Sequence, residues 1–178
     1  PYVIYRDGKE NNAATVKKYN SDAGDWEVLG RPGLSAGPAS YTVIASGKKG
    51  EIYTAYADAS VQNRLIVKKY NPNAPFWEDF GGSVVSGAAA KYISLKVGND
   101  NIPCLAFQDE WNYNRITVKR YNPKSRLWTA LGPEGFSDGE AGYTNLAIGA
   151  GNRVYAAYRD EANGGKATVK VYNSAAAK

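Results

Sequence analysis

The chain has 178 residues, with 22 Lys and Arg against 17 Asp and Glu for a formal charge of +5, and 43% of it is hydrophobic. That is the size and balance of one folded domain, and it excludes the low-apolar composition of a disordered segment. There is no His and one Cys, Cys104, which excludes histidine-dependent catalysis, imidazole or thiolate metal centres and an intrachain disulfide.

No apolar run reaches the ~18 residues a membrane helix needs, so membrane insertion is not expected. Pro1 to Lys9 does not read as a signal peptide. The chain begins without Met and is read as a processed product, a fragment or part of a longer chain. The 14 Tyr, 4 Trp, 19 Gly and 8 Pro, with no Met, favour strands and tight turns over helices.

In chain order, a first strand is predicted over Tyr2 to Asp7, in phase with the second strand of the later units. From there the sequence repeats. Tyr19, Tyr70, Tyr121 and Tyr172 are each followed by Asn at a constant step of 51 residues. The same step links Trp26, Trp77 and Trp128; Tyr41, Tyr92 and Tyr143; Ser35, Ser86 and Ser137; and Asp7, Asp58, Asp109 and Asp160.

One complete unit reads as four short strands. Tyr41 to Ser46 comes first, then a Gly-Lys-Lys-Gly turn, then Ile52 to Asp58 with strict period-2 alternation. Arg64 to Tyr70 follows, and an Asn71-Pro72-Asn73 turn leads to Trp77 to Phe80. The Gly, Ser and Ala-rich stretch from Gly81 to Lys91 carries the chain to the next unit, and the last predicted strand runs from Lys166 to Asn173. No window has a helical period.

The repeats divide as a partial blade at about 1–40, two full ones at 41–91 and 92–142, and a partial one at 143–178. A period of 40 to 50 residues with four strands per unit predicts an all-β fold, a β-propeller of four-stranded antiparallel blades, three and a half repeats in this chain. The first blade lacks its inner strand and the last its outer one. Closing the ring therefore takes two thin blades, a second copy of the chain as a homo-oligomer, or a further chain segment.

The run Val16-Lys17-Lys18-Tyr19-Asn20, repeated as Val67 to Asn71, together with the Tyr-Asn-Pro…Trp hairpins at Tyr70 to Trp77 and Tyr121 to Trp128, resembles propeller repeats of bacterial secreted and surface proteins. It is similar to the kelch and tachylectin repeats, although Ala57-Asp58 and Gln108-Asp109 stand where kelch has a Gly-Gly doublet. The resemblance implies a propeller in an extracellular or cell-surface setting.

Gly33-Leu34-Ser35-Ala36-Gly37 and Gly135-Phe136-Ser137-Asp138-Gly139 match the Gly-x-Ser-x-Gly pattern of serine hydrolases. A nucleophile elbow needs a strand-to-helix turn and a histidine, so these read as crossover loops. The recurring Asp is read as a cap for the following turn in preference to an acidic ring. Trp26, Trp77 and Trp128, with Tyr19, Tyr70, Tyr121 and Tyr172, are read as packing between strand hairpins and neighbouring blades.

Residues that break the repeat are the better site candidates. Trp111 and Tyr113, with Asp109, Asn112 and Asn114, put two aromatic faces beside hydrogen-bonding edges, the combination that a sugar ring or a protein hot spot engages. Arg6 and Arg159 precede two of the four recurring Asp residues, where Ala57 and Gln108 stand in the others.

Basic pairs such as Lys17-Lys18, Lys68-Lys69 and Lys119-Arg120 are interspersed with acids, so nucleic acid is not an expected partner. The reading is a non-catalytic, lectin-like module binding carbohydrate, with no cofactor and no metal. The alternative is a propeller scaffold whose partner is a surface protein. No enzyme activity is expected.

Overall fold

The computed structural model describes residues 1–172. The predicted all-β fold is present. The first sheet is β1 (Tyr2–Asp7), β2 (Ala13–Asn20) and β3 (Asp25–Val28). The second is β4 (Ala39–Ser46), β5 (Ile52–Asp58), β6 (Arg64–Asn71) and β7 (Phe76–Asp79). The third is β8 (Ala90–Val97), β9 (Pro103–Asp109), β10 (Arg115–Asn122) and β11 (Leu127–Ala130). The fourth is β12 (Ala141–Ile148), β13 (Val154–Asp160) and β14 (Lys166–Val171).

Each sheet is an antiparallel meander in sequence order. The inner strands β4, β8 and β12 pack side by side, the radial arrangement of propeller blades. Each begins at an Ala two residues before the Tyr that the sequence marks as its start. The predicted end of the last strand at Asn173 lies outside the described residues.

Period-2 alternation gives every blade two apolar faces, and the facing ones of consecutive blades are buried against each other. Between the second and third blades, Tyr53, Ala55, Leu65 and Val67 meet Ile93, Leu95, Leu105 and Phe107. Equivalent clusters join the first blade to the second around Val16, Tyr56 and Ile66, and the third to the fourth around Ile116, Val118 and Tyr158. Among the described residues no such cluster joins the fourth blade to the first, so the four blades form an open row. Val169 and Val171 on β14 are 65% and 49% exposed on its free side.

At the end of the blades carrying the turns between first and second strands, asparagines bridge neighbours. Asn101 accepts from the Lys48 backbone N–H at 2.9 Å and donates to Glu51, and Asn152 accepts from the Asn99 N–H at 2.7 Å. Burial tends to raise the Glu51 pKa. Backbone N–H groups, Asn101 and the nearby Lys69 charge outweigh it and hold the carboxyl below its usual range.

The serine of each crossover loop is a buried latch. Ser86 Oγ accepts from the Leu65 N–H at 2.9 Å and donates to the Ala88 carbonyl at 2.6 Å. Ser35 and Ser137 do the same for Ala14 and Gly37, and for Ile116 and Gly139. Two inter-blade tyrosines, Tyr56 and Tyr158, bury hydroxyls that have no partner among the described residues. The third repeat places Phe107 at the position of Tyr56.

Ser86→Ala strands a buried donor and a buried acceptor together and should lower stability by about 1–3 kcal/mol; urea denaturation measures it, and a loss within ~0.5 kcal/mol, as at an ordinary surface site, contradicts the latch. Tyr56→Phe should leave stability unchanged or raise it by up to about 1 kcal/mol at neutral pH, since an unpaired buried hydroxyl is removed. Burial, with Asp58 nearby, pushes Tyr56 above its ordinary value of 10.0. Its contribution is therefore intact below pH 10 and is lost as pH rises beyond it, so the variant should flatten the alkaline fall in melting temperature.

Candidate functional site

The inner strands carry the feature that stands apart from ordinary propeller packing. Between Ser40 and Val43 the pairing of β4 with β5 slips, and Tyr41 and Thr42 together oppose Tyr56. The same bulge recurs between Lys91 and Ser94 and between Gly142 and Asn145. Its first residue is a tyrosine in the left-handed region each time, with φ of 52° at Tyr41, 49° at Tyr92 and 52° at Tyr143. Bulges of this form commonly give that place to glycine, and a bulky side chain there holds about 1–3 kcal/mol of strain.

The bulge turns the rings outward into a ladder. Tyr41 and Tyr92 lie 5.3 Å apart between ring centroids, and Tyr92 and Tyr143 4.8 Å. Tyr41 and Tyr143 are 41% and 67% exposed. The Tyr92 carbonyl accepts from the Thr144 hydroxyl, which ties adjacent inner strands together.

Polar clefts open beside these rings. One of about 400 Å³ between the second and third blades brings Tyr41 together with Gln62, Asn63, Lys91 and Glu110. Another of about 310 Å³ between the first and second brings Tyr41 together with Arg6, Ser40 and Thr42. An aromatic face next to amide, ammonium, guanidinium and carboxylate groups suits a polyhydroxylated ring, whose C–H face stacks while its hydroxyls exchange hydrogen bonds.

The recurring aspartates are caps. Asp58, 3% exposed, accepts from the backbone N–H groups of Ala36, Gly37 and Ser60 and from the Ser60 hydroxyl. Asp109 accepts from the Trp111 N–H, the Asn112 side chain and the Thr117 hydroxyl. Asp109, a candidate ligand contact, is 3% exposed, and its oxygens are engaged in holding the turn.

Trp111 and Asn112 lie in a single 3-10 turn, with Tyr113 as its left-handed cap. Trp111 is 70% and Tyr113 83% exposed. One side of the indole lies on Gly87, where an added Cβ would sit 3.2 Å from the ring, so two departures from the repeat touch each other. Asn112 packs against Gly135, and Asn114 reaches Glu140 at 3.5 Å.

Arg6 and Arg159 are not brought together. Arg6 lines a formed cleft. Arg159 pairs with Glu161 at 3.0 Å on the last blade, at the repeat position of Ala57, whose side chain packs toward a following blade.

The tyrosine ladder is what sequence reasoning missed. The 51-residue step of Tyr41, Tyr92 and Tyr143 was a visible signal, but tyrosine gives no hint of a positive φ. The Gly-x-Ser-x-Gly serines hold loops, as above. Burial pushes the Cys104 thiol up to about 12, so it stays protonated and is no nucleophile near neutral pH. The basic pairs are partly neutralised by Lys68–Asp79 at 2.6 Å, Lys119–Glu134 at 2.9 Å and Arg120–Asp100.

No family model and no curated protein sequence matches the chain. Solved structures do match in fold. A Dyadobacter fermentans protein of unknown function aligns with a TM-score of 0.62 at 12% identity, over 92% of this chain and 49% of that one. A triple arginine-to-alanine variant of AofleA from Arthrobotrys oligospora gives 0.62 at 11%, over 92% and 48%. An ulvan lyase gives 0.61 at 14%, over 88% and 42%. This chain spans a little under half the length of each.

At such identities the likeness is one of fold alone, and the fold is one that carbohydrate-active proteins use. It also corrects an expectation. The reading of this chain as not an enzyme does not stand, because its fold is shared by the polysaccharide lyase and by sialidases, among them a Ruminococcus gnavus trans-sialidase. Histidine-free sites built on carboxylates are compatible with glycoside chemistry, so the missing histidine gives no ground for that exclusion.

At Tyr92, Gly should be more stable than Ala by about 1 kcal/mol, the reverse of the usual strand preference, because only Gly removes the positive-φ strain. Relative to wild type, Tyr92→Gly trades that strain against two ring contacts of about 0.5–1.5 kcal/mol each and should melt within a few degrees of it. Thermal denaturation of both variants checks this, and Ala above Gly would contradict the strained conformation.

Proposed function

We propose that this chain binds carbohydrate at the end of the propeller where the inner strands begin, using the Tyr41, Tyr92 and Tyr143 ladder as a stacking platform and the adjoining clefts for hydroxyl recognition. One observation carries the reading: three consecutive blades keep a tyrosine, exposed at Tyr41 and Tyr143 and half-buried between them at Tyr92, in a backbone conformation that glycine would occupy without strain. Strain repeated in three blades calls for a function of the ring. Arg6, Lys91, Gln62 and Asn63 supply charged and amide groups beside the platform.

Repetition suits a ligand with repeating units, since linked weak contacts add through effective concentration. The kelch- and tachylectin-like character of the repeats and an extracellular or cell-surface setting accord with this reading. Trp111, Tyr113, Asn112 and Asn114 form a second contact region at the same end of the blades.

That second region favours another reading. Two large aromatics, 70% and 83% exposed, are also the anchors of a protein interface, and under it the propeller displays them to a surface protein.

A glycan array followed by titration separates the two. The expected outcome is saturable binding to a glycan class, weakened about tenfold or more, ~1.4 kcal/mol, by Tyr92→Gly, a variant expected to melt within a few degrees of wild type. No glycan signal, together with capture of a protein partner that is lost when Trp111→Ala and Tyr113→Ala are combined, would replace the carbohydrate reading with the display one.

A further inference from the structure

Two phenol rings touch each other only where the inner strands begin. Among the described residues, Tyr41–Tyr92 and Tyr92–Tyr143 are the tyrosine–tyrosine ring pairs, and every other aromatic pair joins two different residue types. Tyr92 stands between the other two and is half-buried, so its ring is packed but not sealed from small solutes.

The two junctions are built differently. β8 and β12 are tied beside the rings by two hydrogen bonds: the Thr144 hydroxyl donates to the Tyr92 carbonyl, and the Leu146 N–H donates to Ser94 Oγ at 3.0 Å. Between β4 and β8 the repeat puts Ile93 where Thr144 stands and Val43 where Ser94 stands, and neither side chain can form such a bond. The rings follow the strands. Tyr92 and Tyr143 are 4.8 Å apart between centroids with 35° between their planes, whereas Tyr41 and Tyr92 are 5.3 Å apart at 58°. Both pairs are in ring contact, but only the second is held by side chains of its own strands.

We infer that Tyr92 and Tyr143 form a dityrosine cross-linking site, joined under one-electron oxidation of the kind that a haem peroxidase carries out with hydrogen peroxide. Each phenol gives up one electron and its O–H proton. The two tyrosyl radicals then form a carbon–carbon bond between positions ortho to their hydroxyls, and each of those carbons passes its hydrogen as a proton to its own ring oxygen, which restores both phenols. The two electrons and two protons released reduce one hydrogen peroxide to two waters. Rings already fixed in contact couple within the molecule at an effective concentration that separate molecules do not reach. The new bond joins consecutive blades one repeat apart in sequence, and closing that loop restricts the unfolded chain as any cross-link does. Coupling at this pair is independent of any ligand on the ladder.

The test treats the full chain, in dilute solution, with a haem peroxidase and hydrogen peroxide, isolates the monomer by size exclusion, and reads dityrosine fluorescence and tryptic mass spectra. The expected product is the segment Tyr92 to Lys96 joined to Leu127 to Arg153 with the loss of two hydrogens. The monomer signal should fall at least tenfold in Tyr92→Phe and in Tyr143→Phe, which keep the ring but cannot form the phenoxyl radical and should melt close to wild type before treatment. Treated wild type should melt higher than Tyr92→Phe treated in the same way. Tyr113, 83% exposed and in none of the ring pairs, marks where coupling falls if exposure alone governs it. Absence of dityrosine, dityrosine confined to covalent dimers, a link chiefly at Tyr113 or chiefly between Tyr41 and Tyr92, a signal that survives either Phe variant, or no gain in melting temperature would each overturn the assignment.

Discussion

Burial of one blade against the next is the constraint on which everything else in this protein depends. A four-stranded sheet with alternating side chains has two apolar faces, and alone it can cover neither. Here the faces are complementary by repetition. What Tyr53, Leu65 and Val67 present to the third blade, Cys104, Ile116 and Val118 present to the fourth. Because all interfaces are copies of one interface, an unbroken 51-residue register is a physical requirement: a single inserted residue in a strand would turn its apolar set to the wrong side.

The two ends of the blades are put to different uses. At one, asparagines tie successive hairpin turns together, and carboxylates and amides are paired with each other. At the other, the buried aspartate caps and serine latches fix the loops so firmly that the inner strands can hold a bulge with a strained tyrosine at its head. A strained exposed residue survives only where its surroundings over-determine it. The caps and latches are that surrounding structure, which is why the most regular polar residues are buried while the ring-bearing positions beside them are left partly or fully exposed.

Departures from the repeat have the opposite logic. Trp111 and Gly87 depart together and touch, and Arg6 and Arg159 share a repeat position but stand in different surroundings, one in a cleft and one on the outward side of the last blade. Position within the row of blades therefore differentiates residues that the repeat makes equivalent.

The sequence by itself determined the strands, their order and the blade architecture, because period-2 alternation and a fixed repeat are local signals that burial forces into one arrangement. It also pointed to the aspartates as turn caps and to the Gly-x-Ser-x-Gly stretches as crossover loops, since a residue needed identically in every unit serves the unit, whereas the buried hydrogen bonds of the serines came from the structure. Only the tertiary structure decided which aromatics are buried and which are displayed. Tyr41 and Tyr70 are equally regular in sequence, yet one heads a left-handed bulge and the other packs its ring against Trp77. That difference lies in backbone dihedrals and in the presence of a neighbouring blade, neither of which is written in residue type or spacing.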